Sequence, residues 1–255
     1  MKAYVKQYKE GTHGVLEFGN SAGNSLSTPI LNEFKTHLIA LEKDATVRVI
    51  IIQSYGTRAF CGGASLAEMK TLKTLKEATK FFMGIADLIN TIRSLSKFVV
   101  ARVQGKVVGG GVGLVAACDY VVANSKAEIK LSELSIGIGP FVIEPVVSRK
   151  IGITAFSQLS LDAHIWKSAE WALEKGLYTS VCSSSSDDLN QTVKFHAERL
   201  ANYSEKAVKT LRKLHWKQTD HWEILLAKNA RITAELALES TTQTVSYTHL
   251  RAHET

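Results

Sequence analysis

Cysteine, proline and methionine are scarce, with three of each in 255 residues. Cys61, Cys118 and Cys182 are odd in number and far apart, with no CxxC pair. That excludes a disulfide-stapled scaffold and a cysteine-built zinc site, and it points to a reducing, cytoplasmic setting. None of His13, His37, His164, His196, His215 and His221 stands at metal-ligand spacing, so no metal is expected. Long apolar runs are missing too. The richest region, 98–123, is broken by Arg102, Lys106 and Asp119, which argues against a membrane span. The opening "MKAYVKQYKEGTHGVLEF" carries charges throughout and lacks the apolar core of a secretory signal. Acidic residues are in deficit, leaving a net charge of +7. The basic residues are scattered rather than banked, so nucleic acid is not the expected partner. The densest segment, "EKAVKTLRKLHWK", reads as the solvated side of a helix. A small partner carrying phosphates suits such a surface.

What is present is an ordinary globular composition, 45% hydrophobic and 22% charged. "YVKQYKEGTHGVLEFG" predicts a hairpin turning at Gly11–Gly14. "LSTPILNEFKTHLIALEKD" predicts an amphipathic helix, with Ser27 or Thr28 as cap and Pro29 in the first turn. "VRVIIIQS", "FVVARVQG" and "DYVVANS" read as buried strands, and a helix is expected over roughly 75–94. This βα alternation predicts an α/β core, placed at 1–188. A mostly helical region is expected over 189–244, where Trp222, Leu225, Leu226, Ile232 and Leu236 share a face. The last residues, 245–255 ("VSYTHLRAHET"), break the periodicity and read as a non-native tail.

Two glycine motifs tempt toward other chemistries. Gly19-Asn20-Ser21-Ala22-Gly23 matches the G-x-S-x-G nucleophile elbow, but the next helix begins several residues later; a polar loop is expected. Gly111-Val112-Gly113-Leu114-Val115-Ala116 matches the dinucleotide fingerprint, yet the following strand ends at Asn124 and Ser125 with no acid for a ribose. A nicotinamide-dependent dehydrogenase is therefore the weak alternative.

"RAFCGGASL" (58–66), "VQGKVVGGGVGLVAACDYVVA" (103–123) and "LSELSIGIGP" (131–140) together resemble the crotonase family, the enoyl-CoA hydratase/isomerase superfamily. The blocks stand in the family's order and spacing. The resemblance implies a spiral of repeated ββα units with a C-terminal helical region, assembled as a homotrimer or homohexamer. It implies an acyl-CoA thioester as substrate, with coenzyme A part of that substrate and no separate cofactor. The N–H groups of Ala64 and Gly110 are implied as the oxyanion hole, and Glu133 as the acid/base. The backbone of Ala64, Ser65, Leu66 and Ala67 is implied to bracket the coenzyme. Arg58 is a candidate phosphate partner, and so, on the late helices, are Lys209 and Lys213. The logic is physical: an enolate forming at a thioester needs preorganised N–H donors, and small residues let the backbone approach it.

Hydration in this family uses two carboxylates, and the first falls where this chain has Gly113. Glycine cannot transfer a proton. Retaining Glu133 alone resembles the family's isomerases, in which one carboxylate takes an α proton and returns it at the γ carbon. Glu144 is a possible second acid, although a carboxylate before Pro145 also suits a helix start. Glu68 is a weaker candidate. A two-group hydratase of enoyl-CoA or methylglutaconyl-CoA type and a non-catalytic acyl-CoA-binding protein stay open. Ser65 replaces the family's frequent Asp, and its hydroxyl can still make the turn's side-chain-to-backbone bond. Cys61 is expected to pack rather than react.

Overall fold

The computed structural model describes residues 1–240 and 242; the tail expected over 245–255 lies outside the described residues. β1 (Tyr4–Glu10) and β2 (His13–Gly19) form the hairpin, antiparallel from Tyr4–Gly19 to Glu10–His13, around a tight turn in which Gly11 has φ +60°. Then comes α1 (Thr28–Lys43). Ser27 stands at its N-cap but makes no side-chain cap bond; instead the Thr28 N–H donates to Glu68 Oε2 at 2.8 Å.

The middle of the chain repeats one unit three times. β3 (Val49–Ser54), β4 (Ala59–Cys61) and α3 (Leu75–Ser94) make the first; a one-turn helix, α2 (Leu66–Met69), precedes α3. β5 (Phe98–Val103), β6 (Lys106–Val108) and α4 (Gly110–Ala117) make the second. β7 (Tyr120–Asn124), β8 (Ile129–Lys130) and α5 (Glu144–Leu161) make the third. Each unit gives one strand to each of two sheets, with all neighbours within the repeat parallel. After α6 (Ala169–Glu174), β9 (Ser180–Cys182) closes the large sheet, ordered β1-β2-β3-β5-β7-β9; the small sheet runs β4-β6-β8. This is the ββα spiral that the resemblance implies.

Strand alternation explains the layering. Leu16, Ile50, Ile52, Val99, Ala101 and Val121 point into the main core. Their neighbours Val15, Val49, Ile51, Val100 and Val122 point the other way and are covered by Leu189, Val193 and Ala197. Those three lie at i, i+4 and i+8 of α7 (Ser186–Ala201). The boundary drawn near 188 thus falls in the first turn of α7, which packs with the large sheet.

α8 (Glu205–His215) and α9 (Trp222–Ala237) complete the described fold. α9 lies along α3, burying Trp222, Leu226, Ala230, Thr233, Ala234 and Ala237. Leu225 and Leu236 pack at the margin of the core, whereas alanines and Thr233 complete the stripe expected of larger side chains. The basic α8 departs from a purely solvated reading. Arg212 is 2% exposed, 3.0 Å from Asp119 Oδ2, and its guanidinium also donates to the carbonyls of Ile92 (3.0 Å) and Leu95. A long side chain that satisfies several buried acceptors looks, in sequence, like one more surface cation.

Candidate active site

The small sheet is parallel, and the ends of its strands build the site. β4 leads through Cys61 and Gly62 to Gly63, whose φ of +86° suits a residue without Cβ. The Gly63 carbonyl accepts from Leu26 N–H (2.7 Å) and Ser65 N–H donates to the Leu26 carbonyl (3.0 Å). In a parallel bridge, the residue between those two partners directs its own N–H away. Ala64 is that residue. Ser65 then caps α2, its hydroxyl accepting from Glu68 N–H at 3.3 Å, the bond expected of it. Leu66 is half-buried and Ala67 exposed in the turn that follows.

β6 leads to Gly109, at φ +51°, the N-cap of α4. Its N–H donates to Lys130 O (2.9 Å) and its carbonyl accepts from Val112 N–H (2.8 Å), so both polar groups are used in turning the chain. α4 is buried along its whole length, which is why its sequence has no polar face. A methyl placed on Gly110 would lie 3.7 Å from Ala64 N, and one placed on Gly63 would lie 3.5 Å from Gly110 N. The two N–H groups therefore flank one small space. No hydrogen bond among the described residues uses either.

β8 leads to Glu133, which opens a single 3-10 turn over Leu134–Ile136. A methyl on Gly109 would come within 2.7 Å of Glu133 Oε1, so the carboxyl lies against the turn that begins α4. Oε2 is enclosed and has no partner among the described residues. Burial pushes this carboxyl up to about 7, opposed only by its own backbone N–H. A buried acid poised near neutrality beside two unbonded N–H donors can exchange protons at a carbon next to a stabilised oxyanion.

The remaining candidates separate clearly. Glu68 is committed to the start of α1. Glu144 is the first residue of α5, where an acid favours the helix dipole. Cys61 is buried against Gly111, with its thiol pushed up to about 12 by burial; it packs. Lys209 and Lys213 are exposed on α8. Arg58 precedes β4 and so stands at the opposite end of that strand from Ala64. Ser21 lies in the exposed turn between β2 and α1, not at an elbow, and β7 ends in Asn124, whose amide donates to Gln104 O. Among the described residues no group of three or more His, Cys, Asp and Glu could hold a metal ion, and no helix is long and apolar enough to cross a membrane.

One feature of the site was invisible in the sequence. At Gly113 an added Cβ would sit 2.4 Å from Ile143 Cγ2 and 2.8 Å from Ile143 Cβ. Ile143, just before α5, fills the room that a side chain at 113 would need. Its segment is held from the C-terminal part of the chain, since Asn229 Nδ2 of α9 donates to Phe141 O (2.8 Å) and Thr242 Oγ1 to Gly137 O (3.0 Å).

A family model described as enoyl-CoA hydratase/isomerase matches residues 11–248. The short-chain-enoyl-CoA hydratase of Clostridium acetobutylicum is 32% identical over 203 residues, 79% of this chain and 76% of the relative. The mitochondrial methylglutaconyl-CoA hydratase of Rattus norvegicus is 34% identical over 139 residues, 53% of this chain and 44% of its own. The crystal structure of an enoyl-CoA hydratase from Bacillus halodurans superposes with a TM-score of 0.89 at 19% identity, covering 96% of this chain and 99% of the other, a likeness of fold. With the spiral, the paired N–H groups and this family match on the same residues, the chain belongs to the enoyl-CoA hydratase/isomerase family, the crotonase family of enzymes.

Proposed function

We propose that this enzyme moves a proton on an acyl-CoA thioester with Glu133 as its single acid/base. The observation that carries the reading is the pairing of an unpartnered, buried carboxyl with two unbonded N–H groups across one turn, Gly109–Gly110. The thioester oxygen sits between Ala64 N–H and Gly110 N–H. As the Glu133 carboxylate removes an α proton, the electron pair moves onto that oxygen, and both N–H groups stabilise the enolate. Glu133 then returns the proton at the γ carbon, which shifts the double bond and leaves the composition unchanged. Ile143 supports a single-acid mechanism, because a carboxylate at position 113 has no room. The Ala64–Ala67 backbone brackets the coenzyme, and a homotrimer or homohexamer is the proposed assembly.

The relatives named as hydratases favour a second reading, addition of water across a 2-enoyl thioester with another group completing the pair. A panel of 2-enoyl and 3-enoyl thioesters in deuterated water, followed by mass, separates them. Isomerisation changes mass only by exchange, whereas hydration adds water. Turnover that survives Glu133→Gln at the parent rate overturns both readings. Binding of acyl-CoA with no turnover of any thioester makes the chain a binding protein.

A further inference from the structure

The three strands that end at the catalytic groups begin at a second site. A cleft of about 820 Å³ is lined where the large sheet hands over to the small one. Arg58 comes from the β3–β4 loop, Arg102 from the end of β5, Lys106 from the start of β6, and Lys126 from the β7–β8 turn. That volume is in the range of small-molecule sites, roughly 300–1,000 Å³. Among the described residues Glu128 is the one carboxylate on the lining, and Lys106 already holds it at 3.4 Å. No carboxylate lies within ion-pair distance of Arg58, Arg102 or Lys126 among the described residues. The half-buried Arg102 guanidinium makes its hydrogen bonds to neutral groups, with Nε donating to Asn190 Oδ1 (2.8 Å) and Nη2 reaching Ser186 Oγ at 3.4 Å, while Glu17 acts on its charge from beyond ion-pair distance.

Beneath the cations the floor is rigid and polar. Gln104 is 4% exposed and donates to Ser54 Oγ (2.9 Å) and Ala59 O (3.1 Å), while its enclosed Oε1 has no partner among the described residues. Asn124 donates to Gln104 O at 2.6 Å, and its Oδ1 accepts from Lys126 N–H at 2.9 Å, fixing the turn that carries Lys126. Hydroxyls of Ser125, Ser168, Ser184 and Ser186 complete the lining. Asp188 does not line the cleft; it accepts from Ser183 N–H. The cleft and the thioester site are closed off from each other by Phe60, Val107 and Ile129 in the three strands, all fully buried.

We propose that this cleft binds a phosphorylated small molecule of nucleotide size, separately from the thioester site. Two guanidinium groups and an ammonium without carboxylate partners match phosphate oxygens, for which planar bidentate donors are suited. The serines of the lining suit the neutral, hydroxyl-bearing part of such a ligand. This inference does not rest on which reaction the enzyme performs.

The test is calorimetric titration of the full chain with ADP and, separately, inorganic pyrophosphate, with and without saturating acetyl-CoA. Binding should persist with acetyl-CoA present and weaken at least about tenfold in Lys126→Glu and in Arg102→Gln. Tighter binding of ADP than pyrophosphate means that the nucleoside is read, and equal binding means that the phosphates alone are read; both support the site. Arg102 is partly buried, so a thermal melt accompanies its variant, and Lys126→Glu, at an exposed turn, decides if Arg102→Gln does not fold. Absence of binding by both probes overturns the proposal. So does displacement by acetyl-CoA, or binding that neither substitution weakens.

Discussion

The two ends of the three-stranded sheet do opposite things with the same three strands. At the C-terminal end the proposed working groups are backbone N–H donors and one carboxyl with an enclosed Oε2, the side chains are small, and no cation pairs with that carboxyl among the described residues. At the N-terminal end the groups are long cationic side chains around an open cleft. The first end depends on backbone geometry and burial, so single-atom changes matter there. The second depends on charge, which water and salt screen, so single changes there act on ligand binding and leave turnover nearly untouched.

The sharpest way to break this contrast is Glu133→Gln, which should lower turnover by about 100-fold or more without moving the melting temperature downward. Rates and melts measured together check it. Gly109→Ala comes next. It forces a side chain into φ +51° and drives a Cβ to 2.7 Å from Glu133 Oε1, so turnover should fall about tenfold or more.

The Glu133 carboxyl, held at about 7, sets the pH dependence. The proposed base works ionised, so kcat/KM should fall below pH 7, approaching about tenfold per unit. Stability runs the other way. The folded state holds this proton more tightly than the unfolded chain, so ionisation between about pH 4.5 and 7 lowers stability. Glu133→Gln removes that slope and should be the more stable form above pH 7, by on the order of 1–3 kcal/mol. Denaturation of both forms at pH 5 and pH 8 measures it, and equal slopes would contradict the buried, unpartnered carboxyl.

Gly113→Ala should cost about 1–3 kcal/mol, since its Cβ meets Ile143 at 2.4 Å; pairing it with Ile143→Ala should recover part of that loss. The smallest effect belongs to the other end. Lys126→Glu should leave turnover within about twofold, measured at low and high salt.

Much of the spiral was legible because its long strands are continuous β-branched runs and its helices carry 3.6-residue stripes. β4, β6 and β8 were not, since strands of two or three residues are too short to show a period. Glu133, Ala64 and Gly110, drawn from three motif blocks, are brought to the ends of the short strands around the Gly109–Gly110 turn. Arg212 was read as solvated, because composition cannot tell a cation with buried acceptors from one in water.

The sequence alone determined the α/β alternation, the glycine turns that only small residues can make, and the lack of an acid at position 113. These are local properties, set by side-chain size and period. Only the tertiary structure decided that the three blocks meet at one edge of one sheet, that Ile143 occupies the space beside Gly113, and that burial brings Glu133 near neutrality. Each of those depends on residues distant in the chain, whose proximity no local preference encodes.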